Sequence, residues 1–112
     1  LDEQLEQYLT HEEFLEVIRL DLLVSGKLRT QPDQKDVWLA IEISAKIDAK
    51  DVNRAVQRAT LLRKAGYTAV AVVAGEECAE QTVELARETQ TVIVQNGRIE
   101  FWEEALAEIR EG

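Results

Sequence analysis

Two acids in apolar surroundings, Asp21 and Glu42, are the side chains of this sequence with the clearest chemical potential. Asp21 sits in the run 17–24 and Glu42 in the run 37–47, both otherwise rich in Val, Ile, Leu and Ala. A carboxylate among such neighbours must be solvated, paired or bound to a cation. If the two runs are adjacent strands of one sheet, their carboxylates repel. A hard divalent cation with oxygen ligands, Mg²⁺ or Mn²⁺, would relieve that repulsion. The backbone carbonyl of Ile43 would add a third ligand, which makes Asp21, Glu42 and Ile43 the metal-binding candidates. A metal held there activates water and stabilises charge at a phosphodiester. Lys46 follows Ser44 on the Glu42 side of the alternation and is the candidate to orient that water or neutralise the pentacovalent phosphate. Asp21, Glu42 and Lys46 thus form the candidate catalytic set. The simpler reading is a strand with one solvated face, on which Glu42, Ser44 and Lys46 are ordinary solvent-side residues. Asp21 then pairs with Arg19, Lys46 or another cation across the hairpin.

Positioning these groups falls first to the stretch 37–47. Its β-branched and aliphatic residues follow the turn-like 31–36, which contains Pro32 and Asp33, so it reads as a strand. Alternation puts Val37, Leu39, Ile41, Ile43, Ala45 and Ile47 on one face, and Trp38, Ala40, Glu42, Ser44 and Lys46 on the other. Upstream, the pattern is extended from Val17 to Val24, breaks at Ser25-Gly26 and resumes over 27–30. With a turn around Pro32-Asp33 the two segments make a long antiparallel hairpin, and Asp21 lies across from residues 42–44. A one-residue slip of register would flip every side chain to the other face.

The remaining elements follow from periodicity and caps. Leu1, Leu5, Tyr8 and Leu9 recur at helical spacing. That helix is expected to be the end of a longer helix or coiled coil pairing with a second copy, with residues 10–112 as a single domain. Thr10 and Glu13 form a capping box for a short helix over 11–16. Asp48 and Asp51 cap a longer helix that ends near residue 65, at Gly66. Val52, Ala55, Val56, Ala59 and Leu62 are its buried stripe, with Arg54, Gln57, Arg58 and Lys64 off it. Residues 67–74 are a nearly unbroken apolar run, as in a strand covered on both faces. A helix over 77–88, a strand over 91–95, a tight Asn96-Gly97 turn and a short return strand over 98–101 come next. An acidic helix over 102–110, packing through Trp102, Leu106 and Ile109, closes the chain. The path from 37–47 through a helix to 68–74 is a βαβ crossover. The expected architecture is a three-layer α/β domain with a mixed sheet.

The chain has 112 residues, the size of one domain with one core. Hydrophobic residues at 46% beside charged ones at 31% exclude a disordered chain. There is no apolar run long enough for a bilayer and no signal-peptide pattern, so no membrane partner and a cytoplasmic location are expected. A single cysteine, Cys78, excludes an internal disulfide framework and multi-cysteine zinc sites, and it reads as a structural rather than a reactive thiol. A lone His11 leaves little for imidazole chemistry. The absence of methionine makes the sequence read as a piece of a longer chain. A net charge of −9 argues against a surface that coats nucleic acid broadly. Residues 46–64 nevertheless gather six cations against two acids, a local charge of +4. Arg54, Gln57 and Arg58 in that segment are the candidates to meet a nucleic-acid backbone, with DNA as the candidate partner.

Asp21, some twenty residues of hairpin, then Glu42-Ile43-Ser44, a helix and an apolar strand resemble the PD-(D/E)XK nuclease-like superfamily, which includes restriction endonucleases and Holliday-junction resolvases. The resemblance covers about residues 10–95 and implies a restriction-endonuclease-like core of order αβββαβ. By position, Asp21 and Glu42 match that group's metal-binding acids, Glu13 or Glu16 the glutamate some members add from the first helix, and Gln57 a helical glutamine. It also implies Mg²⁺- or Mn²⁺-dependent hydrolysis of DNA. Two departures stand against the last point. Ser44 replaces the lysine two residues after the glutamate, and Lys46 lies one strand repeat, roughly 6–7 Å, farther along. Three functions are therefore in contention: a divergent metal-dependent nuclease domain; a catalytically inactive module of the same fold, without a cofactor, that serves oligomerisation or regulation; and a small α/β ligand-binding domain with its crevice at the strand ends. For the last, Gly75-Glu76-Glu77 is acidic where a phosphate loop would be glycine-rich.

Overall fold

The computed structural model describes residues 2–27 and 35–111. Helices α1 (Asp2–Tyr8) and α2 (His11–Ile18) open the chain, followed by strands β1 (Leu22–Gly26), β2 (Val37–Ile43) and β3 (Lys46–Ile47). Helix α3 (Ala49–Lys64) leads to β4 (Thr68–Gly75) and β5 (Glu77–Cys78). Helix α4 (Glu80–Glu88), the hairpin β6 (Val92–Gln95) and β7 (Arg98–Glu100), and helix α5 (Trp102–Glu111) complete it. The main sheet has five strands in the order β1-β2-β4-β6-β7. Strands β2, β4 and β6 run parallel, and β1 and β7 are antiparallel at the two edges. The mixed α/β architecture is the expected one.

Strand alternation sends side chains to two cores. Ala40, Ala69, Ala71, Val73 and Ile93 point to the face covered by α1 to α4, where they meet Leu5, Val17, Val52, Ala55, Ala59 and Leu62. Val37, Val70, Val72 and Val92 point to the other face, under Ala105 and Trp102 of α5. Burying each such Val, Leu or Ile stabilises the fold by roughly 1.5–3 kcal/mol before chain entropy is counted. The unbroken burial of 69–73 is what an apolar run without alternation requires.

Local chemistry fixes the ends of the elements. Thr10 and Glu13 form a reciprocal capping box at α2, and Asp48 and Asp51 form another at α3. Helix α3 ends in a Schellman motif: Gly66 N–H donates to the Arg63 carbonyl at 2.9 Å, and Tyr67 N–H to the Leu62 carbonyl at 3.0 Å. Asn96 and Gly97 both take positive φ, as the tight turn between β6 and β7 demands. Among the described residues, no helix is long and apolar enough to cross a membrane.

Three expectations are corrected. The extended segment does not begin at Val17: α2 runs on to Ile18, because Val17 is buried among the helices and Arg19 closes the last turn. Asp21 therefore lies in the bend just before β1 and not within a strand, while Ser25 and Gly26 continue β1 opposite Trp38 and Val37. The stretch 37–47 is not one strand. It leaves the sheet at Ser44-Ala45, and Lys46-Ile47 pairs in parallel with Glu77-Cys78 as a separate two-stranded ladder. The helix expected from residue 77 consequently begins at Glu80. The expected strand over 28–30 and the turn at Pro32-Asp33 lie outside the described residues.

Two of the N-terminal leucines are used within the domain, and Leu1 lies outside the described residues. Leu5 and Leu9 belong to the helical-side core, and Gln4 Nε2 donates to the Ala65 carbonyl at 2.7 Å.

Candidate functional site

The β1–β2 register places Leu22 opposite Ile41, so the chain just before β1 runs beside Glu42 and Ile43. Asp21 Oδ2 accepts the Ile43 N–H at 2.8 Å, and the Asp21 N–H lies 3.4 Å from Glu42 Oε2. The two acids singled out by the sequence are thus brought together. Asp21 uses its carboxylate to extend the hairpin's hydrogen bonding by one residue beyond β1.

Glu42 points from β2 toward α3 and is only 4% exposed. Its partner is Arg58, itself 6% exposed, whose Nη1 lies 2.8 Å from Glu42 Oε1. The same guanidinium reaches Glu16 Oε2 at 3.5 Å with Nη2 and the Arg19 carbonyl at 3.4 Å with Nη1. Its Nε is buried without a hydrogen-bond partner. Arg54 stands alongside, 3.9 Å from Glu42 and 3.3 Å from Asp51. The result is a chain of alternating charge, Glu16–Arg58–Glu42–Arg54–Asp51, that ties α2, α3 and β2 together. A carboxylate buried at this depth requires such a partner.

The residues expected to carry chemistry divide accordingly. Lys46 does not join the acids: the break at Ser44-Ala45 shifts the alternation, so Ile47 enters the helical-side core and Lys46 is exposed. Ser44 Oγ donates to the Lys46 carbonyl at 2.9 Å, which holds the break. Arg58 is buried, not on an outer helix face, because the thin Ala55 and Ala59 stripe lets the guanidinium slide inward to Glu42. Gln57 is exposed in a groove of about 400 Å³ between α2 and α3 whose other walls include Glu12, Glu13, Glu16 and Arg19. That acid-rich lining is unlike a phosphate-tracking surface. Part of the local +4 of the sequence is met by acids from outside the segment: Arg58 pairs with Glu42, and Lys64 with Glu13. Sequence reasoning missed that Arg58 is the ion partner of Glu42, a relation set by how α3 docks on β2.

A divalent cation at this corner would need oxygen lone pairs that are already directed elsewhere. Glu42 Oε1 faces Arg58, Glu42 Oε2 faces the Asp21 N–H, and Asp21 Oδ2 faces the Ile43 N–H. Among the described residues, no group of three or more His, Cys, Asp or Glu side chains is placed to hold a metal ion. As arranged, the donor set fits a guanidinium and not Mg²⁺.

The same helix pair responds to acid. The Lys64 ammonium, hydrogen-bonded at 2.8 Å, holds the Glu13 carboxyl below its ordinary value, and the Asp51 N–H does the same for Asp48. Groups with lowered folded-state values stabilise above their unfolded values and lose that contribution as pH falls through the folded ones. Thermal melts should therefore drop in midpoint below about pH 4, and Glu13→Gln should flatten that acid slope. An unchanged slope in Glu13→Gln would show that the pair contributes nothing. At Cys78, burial, with Glu100 nearby, pushes the thiol up, which suits an inert side chain.

The class that fold and site define is an α/β domain with a mixed five-stranded sheet and, at one hairpin, a buried Glu42 neutralised by Arg58 beside Asp21. No family model matches the chain, and no curated protein or solved structure matches it.

Proposed function

We propose that this domain is a divergent, catalytically inactive member of the PD-(D/E)XK nuclease-like superfamily, acting as an assembly or regulatory module. The observation that carries the reading is the buried 2.8 Å contact between Arg58 and Glu42, which puts a guanidinium where a hydrolase of this type would need its metal. Topology supports the kinship: a helix, an antiparallel hairpin with Asp21 beside Glu42, then α3 and the parallel strand β4. The displacement of Lys46, which is exposed while Ile47 turns to the Glu42 side, supports inactivity.

The partner we propose is a second copy. Among the described residues strand β1 is a sheet edge, and its Leu22 and Val24 are 45% and 40% exposed beside Ile43 at 55%. An edge strand can pair antiparallel with its own copy about a two-fold axis and cover those side chains. The test joins a cleavage assay to sedimentation. Supercoiled and linear DNA should remain intact with Mg²⁺ or Mn²⁺, and the protein should sediment as a dimer that Leu22→Lys/Val24→Lys dissociates. Mn²⁺-dependent cleavage abolished by Glu42→Ala would overturn the inactive reading, and a monomer at all concentrations would overturn the second copy.

A further inference from the structure

We infer that Arg58 is the resident counter-cation of the Asp21–Glu42 corner, and that it and a divalent metal are mutually exclusive occupants of it. The inference rests on the inactive reading above and adds what keeps the corner closed: removing one guanidinium should open a divalent-cation site.

The corner needs positive charge whatever supplies it. Glu42 is 4% exposed, in contact with the Asp21 backbone, and Glu16 approaches the same guanidinium from α2. Two carboxylates, those of Glu42 and Glu16, thus converge on one guanidinium, and the buried one is held there by its charge. Arg58 supplies the charge without full hydrogen bonding, because its Nε is buried and unpartnered while Nη1 and Nη2 serve the acids. The oxygen chemistry for a metal is nevertheless at hand. Glu42 and Asp21 are adjacent, and the Ile43 backbone faces Asp21, its N–H bonded to that carboxylate at 2.8 Å. The carboxylates of Glu42 and Asp21 are hard ligands of the kind Mg²⁺ and Mn²⁺ take. Arg54, half exposed and 3.9 Å from Glu42, is too loosely placed to substitute for the lost charge.

The test is Mn²⁺ titration calorimetry on the wild type, Arg58→Met and Arg58→Met/Asp21→Asn, with thermal melts in EDTA and in Mn²⁺. The wild type should bind no Mn²⁺. Arg58→Met should bind it at least about tenfold more tightly than the double variant. Its melting midpoint should rise by about 5 °C in Mn²⁺ while the wild type's stays fixed. If Arg58→Met does not fold in EDTA, Mn²⁺ should restore folding, and failure to do so counts against the inference. A folded Arg58→Met without Mn²⁺ binding overturns the inference and leaves the inactive reading standing. Mn²⁺ binding by the wild type, with Arg58 in place, overturns the inference, and the inactive reading then stands or falls by the cleavage assay.

Discussion

Glu42→Ala should lower the free energy of unfolding by about 3–5 kcal/mol, the cost of breaking a buried ion pair from one side. The substitution leaves Arg58, 6% exposed, with Glu16 at 3.5 Å as its remaining acid among the described residues, and removes the acceptor facing the Asp21 N–H. A solvated strand-face glutamate, the simpler reading of the sequence, would cost no more than about 1 kcal/mol. Urea denaturation separates the two outcomes. Glu42→Leu/Arg58→Met removes both charges and should be less destabilised than Glu42→Ala alone, since apolar replacement of a buried pair is often neutral or better. A double variant as destabilised as the sum of its two single substitutions would show that the pair is not acting as one unit.

Gly75→Ala should cost about 3 kcal/mol, the upper end for forcing extra volume into a packed site. A Cβ at Gly75 would run into the Ser44 carbonyl oxygen and lie 2.8 Å from Ile47 Cγ1. Here β2 and β4 leave the main sheet together. Ser44 N–H donates to the Ala74 carbonyl at 2.9 Å, and the Ala45 carbonyl accepts from Glu76 and Glu77 at 3.1 Å. The obstructing atom is backbone and cannot rotate away. Gly26→Ala is the control: among the described residues nothing lies within 4 Å of its added Cβ. Its effect should stay within about 0.5 kcal/mol. Equal effects at the two glycines would mean that the close approach at Gly75 is not what constrains it.

Much of this was legible in the sequence because the deciding forces were local. The boxes at Thr10–Glu13 and Asp48–Asp51, the stop at Gly66, the Asn96-Gly97 turn and the apolar run into β4 each depend on residues within one or two turns of chain. Even the meeting of Asp21 and Glu42 was readable, since a hairpin fixes it once its turn is located. What could not be read depends on tertiary docking. Val17 and Ile18 are β-branched and suggest a strand, but burial of Val17 between helices overrides that preference. The shift of alternation at Ser44-Ala45 follows from pairing with residues 74–77, more than a helix away in sequence. Arg58 looked like a surface cation because its place off the apolar stripe gave no hint that Glu42 waits at that depth. Leu5 and Leu9 looked like half of an intermolecular seam for the same reason: their acceptor surface is built by distant residues.

The position of β4 has a consequence for how the chain assembles. Val72 lies between Ile41 and Val92, thirty-one residues back and twenty ahead, and both pairings are parallel. The local hairpin β6–β7 is at a rim, while the centre closes only when two crossover loops do, at a larger cost in chain entropy. Until α3 and α4 dock, residues 69–73 are an unpaired apolar strand of the kind that associates with its like during synthesis. A net charge of −9 then has a use before folding is complete: partly assembled chains repel one another while their centre is still open.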